Sequence, residues 1–293
     1  MMTRIALPTG VELDVAEAGD PANPALIFLH GFPESHRTWR HQIAALSGDH
    51  FCIAPDQRGF ARSSKPGAVA DYRADRLVAD VIALADHYGI DRFTLVAHDW
   101  GGAIGWAAAL QHPLRVARLV IANAPHPLIF QRSLIDDPAQ RAASQYITVF
   151  RAPEFENRIA DMGLETFCDR SFAPHVDAGK ITAADRAAYL DEWRQPGALT
   201  AMLNWYRASQ IVVPAIGAPA EPPAWTQAPF PVLEMPVLVV WGMRDVALLP
   251  VQLDGLDALV RDLTIARIDA GHFVPWDAPD AVTDAMRQWL ARD

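Results

Sequence analysis

The sequence has few of the residues and patterns that bind metals or form disulfide bonds. Cys52 and Cys168 are the only cysteines in 293 residues, too few for a disulfide framework. Cys52 lies in an apolar strand pattern, so we expect buried, inert thiols. No histidine pair has the spacing of a metal site, and no cysteine cluster or glycine-rich phosphate loop occurs. We therefore expect no metal and no other cofactor.

Long apolar runs and a basic surface are also lacking. No run approaches the roughly 20 apolar residues that span a bilayer, and the first residues do not resemble a signal peptide. The net charge of −10 argues against nucleic acid and against anionic membranes as partners. We expect a cytoplasmic protein that binds neither. The oligomeric state stays open, a homodimer included.

Half of the residues are hydrophobic, which suits a globular protein with a sizeable core. Strand-like and helix-like segments alternate along the chain, which predicts an α/β fold with a mostly parallel sheet flanked by helices. The predicted strands are residues 11–17, 25–29, 51–54, 93–97, 117–122, 237–241 and 263–268. The predicted helices are residues 39–46, 74–88, 103–111 and 278–290.

The alternation breaks in the middle of the chain. Residues 128–223 follow a mostly helical pattern, and a proline-rich stretch then precedes the return of strands. We interpret residues 128–227 as a helical cap inserted into one α/β core, formed by residues 1–127 and 228–293. A second independent domain is the alternative.

Asp99 carries the main chemical signal. It lies in the sequence AHDWGG, residues 97–102, between an apolar strand and a helical pattern. Small residues around a nucleophile at this position are typical of the nucleophile elbow of α/β-hydrolases, where strand and helix nearly touch. An aspartate is suited to attack a saturated carbon that bears a leaving group, giving an ester of the enzyme that water must cleave. Epoxides and alkyl halides are substrates of that kind.

A base and an orienting acid follow in the order that this fold requires. Asp245 follows one predicted strand and His272 follows the last one, so both lie at the sheet edge where Asp99 lies. Asn123 occupies the other strand end where an acid could stand. Asp277 is closer to His272 in sequence but enters the last helix, so Asp245 is the preferred orienter.

Asp99 is ionised at neutral pH, so the predicted base acts on water. His272, held by Asp245, would deprotonate a water molecule that attacks the ester carbonyl. The resulting oxyanion needs two donors, and we expect the backbone N–H groups of Phe32 and Trp100 to supply them. Each residue alone also fits a structural role, since an aspartate before a helix is often a cap. Their common order and placement favour catalysis.

Four motifs carry a family resemblance: HGFPES at residues 30–35, RGFARSS at 58–64, HDWGG at 98–102 and GHF at 271–273. Over nearly its whole length the chain resembles the epoxide hydrolases of the α/β-hydrolase fold. The resemblance implies two cap tyrosines that hold and protonate the ring oxygen. LNWYR at residues 203–207 matches the second tyrosine motif and gives Tyr206, and SQYITVF at 144–150 matches the first and gives Tyr146. A buried tyrosine that packs its ring is the alternative for each.

The sequence thus predicts hydrolysis of a small hydrophobic epoxide, with water as co-substrate, to a vicinal diol. A haloalkane dehalogenase that uses the same Asp99 is the first alternative. Trp100 could grip a halide there, and Trp193, Trp205 or Trp225 could supply the second N–H donor. Fluoroacetate dehalogenases carry arginines where this chain has Trp100 and Ala103, which argues against a carboxylate-bearing substrate. A ligand-binding protein with little turnover is the second alternative.

Overall fold

The structure is a computed structural model that describes residues 1–175 and 179–292. Eight strands are described: β1 Met2–Ala6, β2 Glu12–Ala18, β3 Ala25–Leu29, β4 Phe51–Pro55, β5 Phe93–His98, β6 Val116–Ala122, β7 Val237–Gly242 and β8 Leu263–Ile268. The α-helices described are α1 Arg40–Leu46, α2 Ala74–His87, α3 Asp99–Gln111, α4 Pro127–Asp136, α5 Pro138–Ala143, α6 Gln145–Arg151, α7 Phe155–Met162, α8 Leu164–Phe172, α9 Ala183–Trp193, α10 Ala198–Ala208, α11 Val274–Asp277 and α12 Pro279–Leu290.

The strands form a single sheet in the order β1-β2-β4-β3-β5-β6-β7-β8. The pairs β1–β2 and β2–β4 are antiparallel, and every other neighbouring pair is parallel. The strands β4, β5 and β7 are buried along their full length, as expected for parallel strands covered on both faces. The predicted α/β-hydrolase fold is confirmed.

Helices cover both faces of this sheet. On β5, Val96 points to the face packed by α1 and α12, with Trp39 and Trp289 in the same cluster. Leu95 and Ala97 point to the opposite face, which α2 and α3 cover. The alternation follows from the two-residue period of a strand. It leaves the carboxyl ends of the parallel strands as the edge where loops can converge.

The predicted elements match the observed ones to within a residue or two, with two differences. The strand β1 is absent from the sequence prediction, since it is a short edge strand of mixed polarity in which only Ile5 is buried. The helix after β5 begins at Asp99 rather than at the predicted residue 103. Gly101 and Gly102 disfavour a helix by propensity, but tertiary packing overrides this preference.

Between β6 and β7 the described part of the chain contains helices α4 to α10 and no strand of the sheet. Two indole N–H groups of this segment reach the core. Trp193 donates from Nε1 to the Pro33 carbonyl at 2.8 Å, and Trp205 donates to the Arg58 carbonyl at 3.0 Å. The helical segment is therefore fixed to two core loops. The division into residues 1–127, 128–227 and 228–293 stays a prediction.

The turn from β5 into α3 requires glycine. Asp99 has φ +50, an uncommon value for a residue with a side chain. A Cβ on Gly101 would collide with the His30 and Leu29 carbonyl groups, and a Cβ on Gly31 would collide with the Asp99 side chain. The contacts of Gly101 are with backbone atoms, so no side-chain rotation can relieve them.

We expect Gly101→Ala to destabilise the protein by about 1–3 kcal/mol, the usual cost of overpacking a tight site. The free energy of unfolding, measured by urea titration, checks this. Gly48→Ala is the matched control, because Gly48 has φ outside the left-handed region and open space around its Cα. Equal stability of the two variants would contradict the steric explanation.

Candidate active site

Asp99 lies at the carboxyl end of β5, at the first position of α3. Its Oδ1 accepts a hydrogen bond from the Phe32 N–H at 2.7 Å. Burial raises the pKa of this carboxyl, but hydrogen bonding to His272 and the charge of that ring outweigh burial and hold the pKa below its usual value. Asp99 is therefore a carboxylate at neutral pH, with Oδ2 directed to His272.

His272 lies in the loop after β8 and bridges two carboxylates. Its Nδ1 is 2.7 Å from Asp245 Oδ2, and its Nε2 is 3.6 Å from Asp99 Oδ2. Burial lowers the pKa of His272, but Asp245 and Asp99 together raise it well above the ordinary value. The structure thus brings together the three predicted triad residues, with the imidazole between the carboxylates.

Asp245 follows β7 and is fully buried. Its Oδ1 accepts from the N–H groups of Ala247 and Leu248, at 2.8 and 2.9 Å. Burial raises the pKa of Asp245, but the charge of His272 and the hydrogen bonds to the carboxylate lower it below the usual value. Asp277, the alternative acid, accepts instead from the Gly271 N–H at 2.7 Å.

Asn123 is part of this arrangement, although sequence reasoning gave it no role. It stands at the end of β6, and its Nδ2 donates to Asp245 Oδ2 at 2.7 Å. Its Oδ1 accepts from the Gly242 N–H at 2.7 Å, which fixes the orientation of the amide. The available signal was its position at the strand end where an acid could have stood.

A second buried pair supports the same loops and was also missed. His98 Nδ1 is 2.9 Å from Glu34 Oε2, and both side chains are fully buried. His98 Nε2 donates to the His272 carbonyl at 2.9 Å, and Trp276 Nε1 donates to Glu34 Oε1 at 2.7 Å. Glu34 and His98 lie inside two of the motifs, but their contact depends on the packing of distant strand ends.

The two predicted oxyanion donors are the N–H of Phe32, in the loop after β3, and that of Trp100, which follows Asp99 in the chain. The Phe32 N–H already contacts the Asp99 carboxylate. Trp100 is in the first turn of α3, where a backbone N–H has no acceptor within the helix. The Phe32 N–H is therefore shown in contact with Asp99, and the oxyanion role of the Trp100 N–H stays a prediction.

The two tyrosines predicted from the resemblance, Tyr146 and Tyr206, reach the same place from α6 and α10. The ring centroids of Tyr146 and Tyr206 are 6.2 Å apart, and the Tyr206 ring lies 5.1 Å from Phe32 and 5.0 Å from Trp100. Burial raises the pKa of both phenols, and the Asp99 charge raises it further. Both therefore keep their protons at neutral pH and can donate hydrogen bonds.

A cavity of about 320 Å³ opens above these groups. Asp99, His272, Tyr146 and Tyr206 all line it, with mostly apolar and aromatic side chains around them. A smaller cavity of about 70 Å³ adjoins Asp99, Tyr146 and Tyr206 but not His272. A substrate bound between the tyrosines and Asp99 would therefore lie where the two cavities meet.

Other predictions concern metals, thiols and membranes. Cys52 and Cys168 are buried and unpaired with each other, and burial raises the pKa of the Cys52 thiol to about 12 and that of Cys168 to about 11. Within residues 1–175 and 179–292, no group of three or more His, Cys, Asp or Glu side chains could hold a metal ion. No helix of the described chain is long and apolar enough to cross a membrane.

Comparison with known proteins agrees with this architecture. A family described as the alpha/beta hydrolase fold matches residues 24–279. The AB hydrolase superfamily protein YfhM of Bacillus subtilis is 36% identical over 80% of this chain and 79% of its own length. Epoxide hydrolase 2 of Caenorhabditis elegans is 32% identical over 97% of this chain and 78% of its own length.

Solved structures give the same family. A structure of novel epoxide hydrolases from metagenomes of hot environments has a TM-score of 0.94 and 49% identity, covering 100% of this chain and 99% of that one. The epoxide hydrolase of Bacillus megaterium with an inhibitor has a TM-score of 0.87 and 31% identity, covering 99% of this chain and all of the other. The chain belongs to the epoxide hydrolases of the α/β-hydrolase fold.

Proposed function

We propose that the protein hydrolyses a small, largely apolar epoxide to a vicinal diol through an ester on Asp99. One observation carries the proposal: a carboxylate and two protonated phenols, those of Tyr146 and Tyr206, line one apolar cavity. Opening an epoxide needs a nucleophile on a ring carbon and an acid on the ring oxygen. The cavity supplies both without a cofactor.

In the first step an Asp99 oxygen attacks a ring carbon and the bond from that carbon to the ring oxygen breaks. The oxygen leaves as an alkoxide, which is a poor leaving group in water. Tyr146 and Tyr206 donate hydrogen bonds to it, and one of them transfers its proton. The products of this step are a hydroxyalkyl ester of Asp99 and a tyrosinate.

In the second step His272 removes a proton from water, and the hydroxide attacks the ester carbonyl of Asp99. The tetrahedral oxyanion is stabilised by the N–H groups of Phe32 and Trp100. Its collapse breaks the bond from the ester carbonyl to the alkyl oxygen and restores the Asp99 carboxylate. The proton of the added hydroxyl passes to the leaving alkyl oxygen, which releases the diol. The proton that His272 took from water then neutralises the tyrosinate, so the sum is epoxide plus water to diol.

The dehalogenase alternative needs two side-chain N–H donors for the halide. The indole of Trp100 lies beside Asp99, but the indoles of Trp193 and Trp205 donate to backbone carbonyls. Trp225 is 41% exposed and lines neither cavity. The tryptophans that could have held a halide are thus used elsewhere, which favours the epoxide. A binding protein with little turnover would have no use for His272 beside Asp99.

We expect the His272→Asn variant to accumulate the Asp99 ester, because ring opening needs no base and ester hydrolysis does. The measurement is the intact mass after incubation with styrene oxide and, separately, with 1-bromobutane. A gain equal to the whole epoxide, mapped to Asp99 by digestion, supports the proposal. A gain equal to the butyl group alone would show dehalogenase chemistry, and no adduct from either compound would argue against covalent catalysis on these classes.

We expect Tyr206→Phe to lower kcat for styrene oxide by about a hundredfold, the usual contribution of a positioned general acid. Steady-state kinetics measures it. Tyr189→Phe is the matched control, because Tyr189 is also a buried cap tyrosine and lines neither cavity. Equal activity of the two variants would remove Tyr206 from the proposed acid role.

The pH dependence of ester hydrolysis tests the base. His272 with a raised pKa stays protonated below that pKa and cannot act as a base there. The rate of ester hydrolysis therefore rises as the pH rises through the pKa of His272. Esterification removes the Asp99 charge, one of the causes that raise the pKa of His272. Two quantities are compared: the midpoint of the pH profile for ester decay, measured in single turnovers, and the pKa of His272 in the unreacted protein, measured by NMR. We expect the midpoint for ester decay to lie at the lower pH. A rate that rises at the same pH or higher would contradict this coupling.

A further inference from the structure

One wall of the larger cavity is polar, unlike the rest. The helix α8 and the turn after it contribute Phe167, Arg170, Ser171 and His175 to the lining. Positions 167, 170 and 171 share one helix face because of their spacing of three and four. Outside the proposed reaction groups, the remaining described lining residues are apolar. Among the described lining residues, only this wall can therefore bind a polar group on a substituent of the substrate.

Arg170 is the one lysine or arginine among the described residues that line this cavity. The carboxylates nearest to it along the helix are already engaged: Asp169 pairs with Arg186, and Glu165 pairs with Arg194. Within residues 1–175 and 179–292, Arg170 has no ion-pair or hydrogen-bond partner. Arg170 is an exposed residue that also lines the cavity. An unpaired guanidinium there attracts an anion, for which its planar donors are well suited.

His175 adds a second donor to the wall. Its ring centroid lies 5.8 Å from that of His272, and burial lowers its pKa to about 4, so the ring is neutral at neutral pH. Its Nδ1 is buried and has no hydrogen-bond partner within the described chain. Buried N–H groups without an acceptor are rare, which assigns the proton to Nε2. The polar edge that the ring offers to a ligand is therefore an N–H.

We infer that Arg170 and His175 select epoxides whose larger substituent ends in a carboxylate. This inference rests on the proposed function and names its substrate class. The wall presents a cation and a neutral N–H donor, and Ser171 already donates its hydroxyl to the Phe167 carbonyl at 2.8 Å. A carboxylate satisfies both donors with charge-assisted hydrogen bonds, whereas an apolar arm leaves them unpaired.

The position of the carboxylate follows from the same geometry. Trp100 and Ala103 stand beside Asp99 and line the smaller, apolar cavity. Neither residue carries a positive charge that could pair with a carboxylate on the attacked carbon, so a carboxylate at that position is disfavoured. Arg170 lines the larger cavity and not the smaller one, so the carboxylate belongs at the far end of the arm that enters the larger cavity.

The test compares 4-(oxiran-2-yl)benzoate with 4-(oxiran-2-yl)benzamide, which differ in charge but hardly in size. The measured quantity is the kcat/KM ratio of the acid to the amide. We expect Arg170→Gln to lower this ratio about fivefold, the scale of a partly exposed ion pair. Arg170→Glu should lower it further, and 0.5 M NaCl should lower the ratio of the unaltered protein.

Arg158→Gln is the matched control. Arg158 is an exposed cap arginine on α7 that does not line the cavity, so its removal should leave the ratio unchanged. If the protein turns over styrene oxide but neither Arg170→Gln nor salt changes the acid-to-amide ratio of kcat/KM, this inference is overturned and the proposed function stands. Failure to turn over styrene oxide, the benzoate and the benzamide would overturn the proposed function, and this inference with it.

Discussion

The turn at Asp99 is the constraint on which the rest of the site depends. Its φ of +50 is a strained value for a residue with a side chain, of the kind that costs about 1–3 kcal/mol and persists only where surrounding structure imposes it. Gly31 and Gly101 allow two neighbouring loops to approach within contact distance. The close approach puts the Phe32 N–H on one carboxylate oxygen and leaves the other directed to His272.

The burial of charged groups is the second constraint. In this site each buried carboxylate is stabilised by hydrogen-bond donors. A lone carboxylate with as little exposure as Asp245 would be neutralised by a proton. Here Asp245 receives hydrogen bonds from Asn123, from two backbone N–H groups and from His272. It is therefore rigid and ionised, suited to orient a base. Among the described residues Asp99 has fewer partners: its Oδ1 accepts from the Phe32 N–H, and its Oδ2 faces only His272, at 3.6 Å. Fewer contacts suit the nucleophile that we propose.

The sequence predicted the elements well where patterns are local. The strand ends that carry Asp99, Asp245 and His272 follow from apolar runs and from the order of the fold, and the structure brings these residues together. Contacts between distant segments were not predictable. The amide of Asn123 and the pair of Glu34 with His98 involve residues from separate strand ends. Apart from the strand-end position of Asn123, nothing in their neighbouring residues indicates a partner.

The helix start at Asp99 was missed for a related reason. Gly101 and Gly102 are poor helix formers, and a local reading places the helix after them. The packing of α3 against β5 and β6 decides otherwise, since only glycine allows the required approach. Local preference and tertiary packing disagree at this turn. The proposed nucleophile stands there, and such conflict is expected at the active site of an enzyme.

The helical segment between β6 and β7 is fixed to the core by residues next to those that we propose for the chemistry. Trp205 anchors α10 to the Arg58 carbonyl, and the next residue along that helix is Tyr206. Trp193 anchors α9 to the Pro33 carbonyl, one residue from the Phe32 N–H. The indoles of Trp193 and Trp205, which attach this segment to the core, are thereby unavailable as halide donors. One set of contacts therefore fixes the helical segment to the core and occupies two indoles that could have held a halide. This favours the epoxide, with an oxygen leaving group, in the function that we propose.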